Sequence, residues 1–240
     1  MSIKEILKTT RHRPWPLPGK QWRFYQEWNN AIFLHWRVEY DVLIKFLPPG
    51  LEPDLLKGSP WVSLVAFTMQ KIRPRYLPSF KPISDFHEIN IRTYVRSNKK
   101  AGVHFLSIEA GNRISCKLAR NISGLPYRFS EIHREGQLYS SRNKEFNDSL
   151  KIGYKVGKDL LKKNETDKWL TEKYALFQEE GTNLNEFDIH HVEWPVQKIT
   201  LGVLELQYPR FDKLINTNPD CSHYSMGVQV IAWSKNKINL

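Results

Sequence analysis

Cysteine is scarce in this chain of 240 residues: Cys116 and Cys221 are the only two. That is too few for a disulfide framework, and both are expected as reduced thiols; Cys116, between Ile114 and Leu118, reads as a small buried hydrophobe. Long apolar runs are missing as well. No stretch approaches the roughly 18 apolar residues of a spanning helix, and the opening residues MSIKEILKTT lack the apolar core of a secretory signal. The expected location is therefore the cytoplasm, with no membrane partner, which makes the sequons at Asn121, Asn147 and Asn164 chance matches. No internal repeat or low-complexity linker divides the chain. Residues 1–240 are read as a single domain with an extended, proline-rich N-terminal arm over 1–20.

Familiar catalytic motifs are absent too. Gly153-Tyr-Lys-Val-Gly157-Lys158 is one residue too short for a phosphate loop and continues with Asp in place of the metal-binding hydroxyl. There is no Gly-x-Ser-x-Gly elbow and no Gly-x-Gly-x-x-Gly turn after a strand, so neither a hydrolase elbow nor a dinucleotide site is indicated. His190-His191-Val192-Glu193 is the tightest histidine cluster. On a strand its two imidazoles point to opposite faces, so the pair reads as structural, and neither a metal nor another cofactor is expected. His35, between Leu34 and Trp36, reads as a hydrogen-bonded wall residue.

What the chain does have is bulk and positive charge. Eight Trp, 10 Tyr and 12 Phe can fill one large core. The net charge of +11 raises the question of an acidic partner, but the basic residues are dispersed and no helix-turn-helix, zinc-finger or RNP-type signature accompanies them. Nucleic acid is not the favoured partner, and a basic nucleic-acid-associated protein is kept only as a second alternative.

Periodicity predicts a mainly β chain with two or three helices. Phe33–Val38 is extended, Tyr40–Leu47 has helical spacing and stops at Pro48-Pro49-Gly50, and Trp61–Met69 is an apolar run suited to a strand buried on both faces. Residues 70–85, with three prolines, read as a surface loop. Strands are expected at 88–96 and 103–109, joined by a turn at 97–102, and a third at 113–118 that sets Ile114, Cys116 and Leu118 against Arg113, Ser115 and Lys117, completing an antiparallel meander. Further strands are expected at 127–132, 137–142, 151–156, 184–190, 194–206 and 226–233. A helix is predicted over 166–177, and 216–223 reads as a loop.

The segment from Phe86 to Glu131 carries the chemistry. Glu88, Asn90, Arg92, Tyr94 and Arg96 alternate with Ile89, Ile91, Thr93 and Val95, which gives a strand with two unlike faces. Such a polar row is either solvated or the lining of a pocket. If it is the lining, Glu88 gains a charge partner in Arg92 and a tuned pKa.

Several ordered motifs resemble the uncharacterised YqjF-like family: Pro14-Trp-Pro-Leu-Pro, Phe33-Leu-His-Trp, Phe86-His-Glu-Ile-Asn-Ile-Arg-Thr-Tyr-Val-Arg, Leu118-Ala-Arg, Leu125-Pro-Tyr, Leu170-Thr-Glu-Lys-Tyr and Ile189-His-His-Val-Glu-Trp-Pro. More distantly the chain is similar to the acetoacetate decarboxylases, through Leu47-Pro-Pro-Gly-Leu-Glu-Pro53, through Phe86-His87-Glu88 in place of their Tyr-x-Glu, and through Gly124-Leu-Pro-Tyr-Arg128 in place of their Gly-Tyr-Pro-Lys-Lys. The resemblance implies a single-domain, antiparallel conical β-barrel with Glu88 facing a cavity.

It also exposes a departure. In that family the first Lys forms a Schiff base and the second lowers its pKa; here Tyr127 and Arg128 stand in their places and neither offers a neutral amine. The family's substrate-orienting Arg is replaced by Asn29 or Asn30. Lys117 is the one nearby amine positioned to substitute. The expectation is a pocket that binds a small organic acid or carbonyl compound without Schiff-base chemistry, with Glu88 and Tyr127 as catalytic groups and Arg92, Tyr94, Arg128 and Lys117 as ligand-binding groups. The alternative is a non-covalent lyase or hydratase using Glu88 as acid or base. Assembly into a homo-oligomer stays open.

Overall fold

The computed structural model describes residues 1–97, 100–160 and 162–238. It is 52% strand and 18% helix, which makes the fold mainly β. A helix α1 (Ile3–Lys8) precedes the long strand β1 (Phe24–Arg37), helix α2 (Tyr40–Leu43), β2 (Glu52–Pro53), β3 (Trp61–Pro74), α3 (Lys81–Ser84), β4 (Phe86–Ser97) and β5 (Lys100–Ala110). Helix α4 (Arg113–Ser123) leads to β6 (Tyr127–Phe129), β7 (Glu131–Glu135), β8 (Leu138–Asn143) and β9 (Asp148–Asp159). Helix α5 (Glu165–Thr171), β10 (Ala175–Glu180), β11 (Asn183–His190), β12 (Val196–Gln207), α6 (Asp212–Ile215), β13 (Cys221–Ala232) and β14 (Asn236–Ile238) complete the order.

Strand β11 pairs with both β10 and β13, so hydrogen bonding runs in a closed circuit β11–β10–β5–β4–β3–β1–β13 and back to β11. The closing seam is short, with only Ile189 opposite Ala232 and His190 opposite Ile231. From β13 the sheet continues outward through β12, β9, β8 and β7. This extension folds over one face of the circuit. Ile32, Leu34, Leu64, Ala66, Ile89 and Ile91 there pack against Ile132, Tyr139, Leu150 and Ile152. At roughly 1.5–3 kcal/mol for each fully buried aliphatic side chain, this layer is a principal source of stability. Alternation then sends the other residues of β1, β3 and β4 to the opposite face.

The polar row of β4 lies on that opposite face, and it is buried: Glu88, Asn90, Arg92 and Tyr94 are all 8% exposed or less. Arg96, at the strand's end, is exposed and pairs with Asp54 at 2.5 Å.

Several predicted elements are corrected. The expected strand at 113–118 is helix α4: the Asn112 side chain caps it by accepting from the Ser115 N–H, and Gly124, at φ 74°, ends it in the left-handed conformation that favours glycine. Residues 70–85 are not simply a loop, since β3 runs to Pro74 and α3 follows. The helix expected over 166–177 stops at Thr171, because Ala175–Glu180 is drawn into the circuit between β11 and β5. β13 begins at Cys221, inside the expected 216–223 loop, and α6 precedes it.

The N-terminal arm starts as a helix held by a Ser2–Glu5 capping box. Beyond it, Arg13 pairs with Asp188 at 3.2 Å and Trp15 Nε1 donates to the same carboxylate at 3.1 Å. The tip of the expected turn at 97–102, Asn98-Lys99, lies outside the described residues.

Candidate functional site

Strand register builds the site. In β1, β3 and β4, His35 is opposite Ser63 and Ser63 opposite Arg92, while Phe33 is opposite Val65 and Val65 opposite Asn90. Phe67 is opposite Glu88. Each of these residues is buried on the face away from the extension. At about 3.3 Å per residue, Glu88 and Arg92 stand ~13 Å apart along the strand, so the site is a row and not a point.

At one end of the row, Tyr127 donates its hydroxyl to Glu88 Oε2 at 3.0 Å. The turn after α4 explains how: Gly124 ends the helix, and Tyr127 then enters β6 in parallel register with Ile108 of β5, beside β4. Burial raises the Glu88 carboxyl from 4.5 to about 8, against the hydrogen bonds from Tyr127 and Asn90 that lower it. At pH 7 it is therefore a protonated acid. Arg92 was expected to act as its charge partner; Arg92 is not among the groups that shift Glu88, and four residues of strand separate the two.

At the other end, the Arg92 guanidinium is held by packing. It lies 5.9 Å from the ring centroids of both Phe33 and Tyr94, and its Nη2 reaches the Leu170 carbonyl at 3.4 Å. No ion pair to Arg92 occurs among the described residues. Its buried Nε has no hydrogen-bond partner, and neither has the Oδ1 of Asn90 midway along the row.

Beside Arg92 runs a chain that sequence reading did not join. Asp167 Oδ1 is 3.0 Å from His223 Nε2, His223 Nδ1 is 3.3 Å from His35 Nε2, and His35 Nδ1 is 2.6 Å from Ser63 Oγ. Ser63 Oγ is in turn 2.6 Å from Tyr94 OH, which donates to the Leu170 carbonyl at 2.8 Å. A carboxylate only accepts, so His223 Nε2–H points to Asp167; with neutral imidazoles, His35 Nε2–H then points to His223 and the Ser63 hydroxyl to His35, which leaves the Tyr94 hydroxyl proton shared between Ser63 Oγ and the Leu170 carbonyl. Both imidazoles are neutral in this arrangement. Burial lowers the pKa of each, reinforced at His35 by the nearby His223 and Arg92 and opposed at His223 by Asp167. The order hydroxyl, imidazole, imidazole, carboxylate is one along which a proton can be displaced. The one signal for it in the sequence was His35 flanked by buried residues.

Lys117 and Arg128 do not join the row. Lys117 lies exposed on the outer side of α4. Arg128 turns outward to Glu145 at 3.4 Å and stacks over Phe146. A different amine is buried: Lys173, 3.2 Å from Asp54, packs 4.0 Å above the Trp169 ring. Burial lowers its pKa to about 8, opposed by Asp54 and assisted by Arg92 and Arg96. His190 is bonded to the Ile6 carbonyl at 2.8 Å and His191 to the Val192 carbonyl at 2.7 Å. Two surface cavities, of about 190 and 410 Å3, lie by Tyr208 and by Lys158 and touch none of the row.

This fold is that of the acetoacetate decarboxylase-like proteins. Superposition on an acetoacetate decarboxylase from Legionella pneumophila gives a TM-score of 0.62 at 16% identity, covering 95% of this chain and 94% of that one. An acetoacetate decarboxylase-like enzyme from Sphingomonas wittichii gives 0.63 at 12%, covering 92% and 94%. The enduracididine biosynthesis enzyme MppR complexed with pyruvate gives 0.58 at 14%, covering 95% and 93%.

Within that fold, the chain belongs to the DUF2071 family of uncharacterized conserved proteins, whose model matches residues 25–229. It is 30% identical over 236 residues to the uncharacterized protein YqjF of Bacillus subtilis (strain 168), covering 92% of this chain and 95% of the relative.

Proposed function

We propose that the strand circuit is a conical β-barrel whose inner face binds a small oxo or hydroxy acid. The carboxylate lies on Arg92 and the chain of the ligand runs along Asn90 in the direction of Glu88. One observation carries this reading: a guanidinium 8% exposed with a free Nε and no carboxylate beside it among the described residues. A buried cation without a counter-ion costs several kcal/mol, and a ligand carboxylate meeting the guanidinium in a bidentate pair offsets that cost. The unpaired Oδ1 of Asn90 asks for a donor, which a hydroxyl or an enol supplies. MppR, similar in fold, is complexed with pyruvate, which favours the oxo-acid class.

Tyr127 and Arg128 offer no amine, so binding proceeds without a Schiff base at that turn. A second reading, a non-covalent lyase or hydratase, is favoured by the raised pKa of Glu88, which lets a carboxylic acid donate to a carbonyl oxygen at neutral pH.

Thermal unfolding of the wild type and of Arg92→Met with pyruvate, acetoacetate and 4-oxopentanoate tests the proposal. At least one acid should stabilise the wild type, by about 2.7 kcal/mol at a hundredfold excess over Kd, and none should stabilise the variant. No response from the wild type, or an undiminished response from Arg92→Met, would refute it.

A further inference from the structure

Two neighbouring surface segments share a composition that the interior site does not explain. Residues 73–84 and 111–123 together carry Arg73, Arg75, Lys81, Arg113, Lys117 and Arg120 and no acidic residue. They adjoin: Asn112 Nδ2 donates to the Pro82 carbonyl and Ser115 Oγ to the Ile83 carbonyl, each at 2.8 Å. Among these basic groups no ion pair occurs within the described residues. The carboxylates at their margins are engaged, Asp85 by the Lys71 N–H and the Ser84 hydroxyl, and Glu180 by Lys235.

The same segments expose Tyr76, Leu77, Phe80, Ile114, Leu118 and Ile122, each between 43 and 79% accessible. Helix α4 buries Ser115 and Cys116 on its inner side. Ile114, Leu118 and Ile122 recur every fourth residue, so they form a second, exposed stripe alongside the buried one. A helix already packed on one side has no structural need for three exposed aliphatics beside it, and large apolar groups clustered on a surface mark an interaction site.

We propose that this face docks the protein on an anionic lipid bilayer. The aliphatic and aromatic side chains enter the boundary between headgroups and acyl chains, with Tyr76 at headgroup depth, and the four exposed cations, Lys81, Arg113, Lys117 and Arg120, meet lipid phosphates. Charge selects this occupant over the others. A second copy apposed through the same patch would bring like charges together without a compensating carboxylate from these segments. Nucleic acid would satisfy the cations but give Leu77, Ile114, Leu118 and Ile122 nothing apolar to cover them. No helix of the described residues is long and apolar enough to cross a membrane, and surface docking needs none.

The full-length protein is sedimented with phosphatidylcholine vesicles containing about 30 mol% phosphatidylglycerol, and with vesicles of phosphatidylcholine alone. Binding is expected to the first and not the second, and to fall at 1 M salt, where the screening length is about 3 Å. L118E and F80E alter exposed side chains. Each should keep the wild-type circular dichroism and Tm while lowering partitioning by about tenfold or more. Four results would overturn the proposal: no binding to anionic vesicles, binding unchanged in both variants, a dimer in sedimentation that L118E dissociates, or displacement from the vesicles by a single-stranded oligonucleotide.

Discussion

Replacing Glu88 by Gln keeps the shape of the side chain and an oxygen that accepts from Tyr127, but removes the ionisation that burial opposes. In the native protein this carboxyl has its pKa raised from 4.5 to about 8. A raised carboxyl pKa means that the native state holds the proton more tightly than the unfolded chain does. Its ionisation therefore costs nothing below pH 4.5, and stability falls as pH rises from there to about 8, then levels off. At 1.36 kcal/mol per unit, the loss is about 3 kcal/mol by pH 7 and about 5 kcal/mol by pH 9, as an upper bound before the protein relaxes.

Glu88→Gln has no such loss. Urea unfolding of both proteins between pH 5 and 9 should show the variant gaining on the wild type as pH rises, by a few kcal/mol at the alkaline end. The reasoning fails if the difference between the two stays constant across that range, since Glu88 would then ionise equally easily in both states.

Two further outcomes are expected. Tyr127→Phe removes the donor to Glu88 Oε2 and should cost about 1–3 kcal/mol in urea unfolding at pH 6; because that hydrogen bond lowers the Glu88 pKa, the fall in stability should also continue to a higher pH before it levels off, and an unchanged end to that fall would contradict the contact. Treatment with acetoacetate and borohydride should leave every lysine unmodified. Lys173, with a pKa of about 8, is the amine most able to react, and an adduct there in a peptide map would show that covalent chemistry moved within the fold instead of being lost.

The β4 row was legible because period two is unambiguous over nine residues, and burial of Glu88 through Tyr94 resolves which side it faces. The mainly β class was legible for the same reason, and the decarboxylase-like fold from the residues that carry the resemblance. Helix α4 was not. Ile114, Cys116 and Leu118 satisfy a strand's alternation, and only the Asn112 cap and the Gly124 stop argue for a helix. That mistake moved Lys117 from an outward helix face to an imagined lining. The histidine chain was hidden for another reason: Asp167, His223, His35 and Ser63 come from four elements, and the order in which strands pair, which local periodicity does not encode, brings them together.

The seam where β11 meets β13 has a consequence for how the protein folds. Its residue His190 is bonded to Ile6, 184 positions away, and β1 is paired along most of its length with β13, starting with Phe24 opposite Ala232. These segments thus find their partners far along the chain. Most of β1 must wait unpaired on that edge until β13 is in place, so folding should be slow in the manner of proteins dominated by distant contacts.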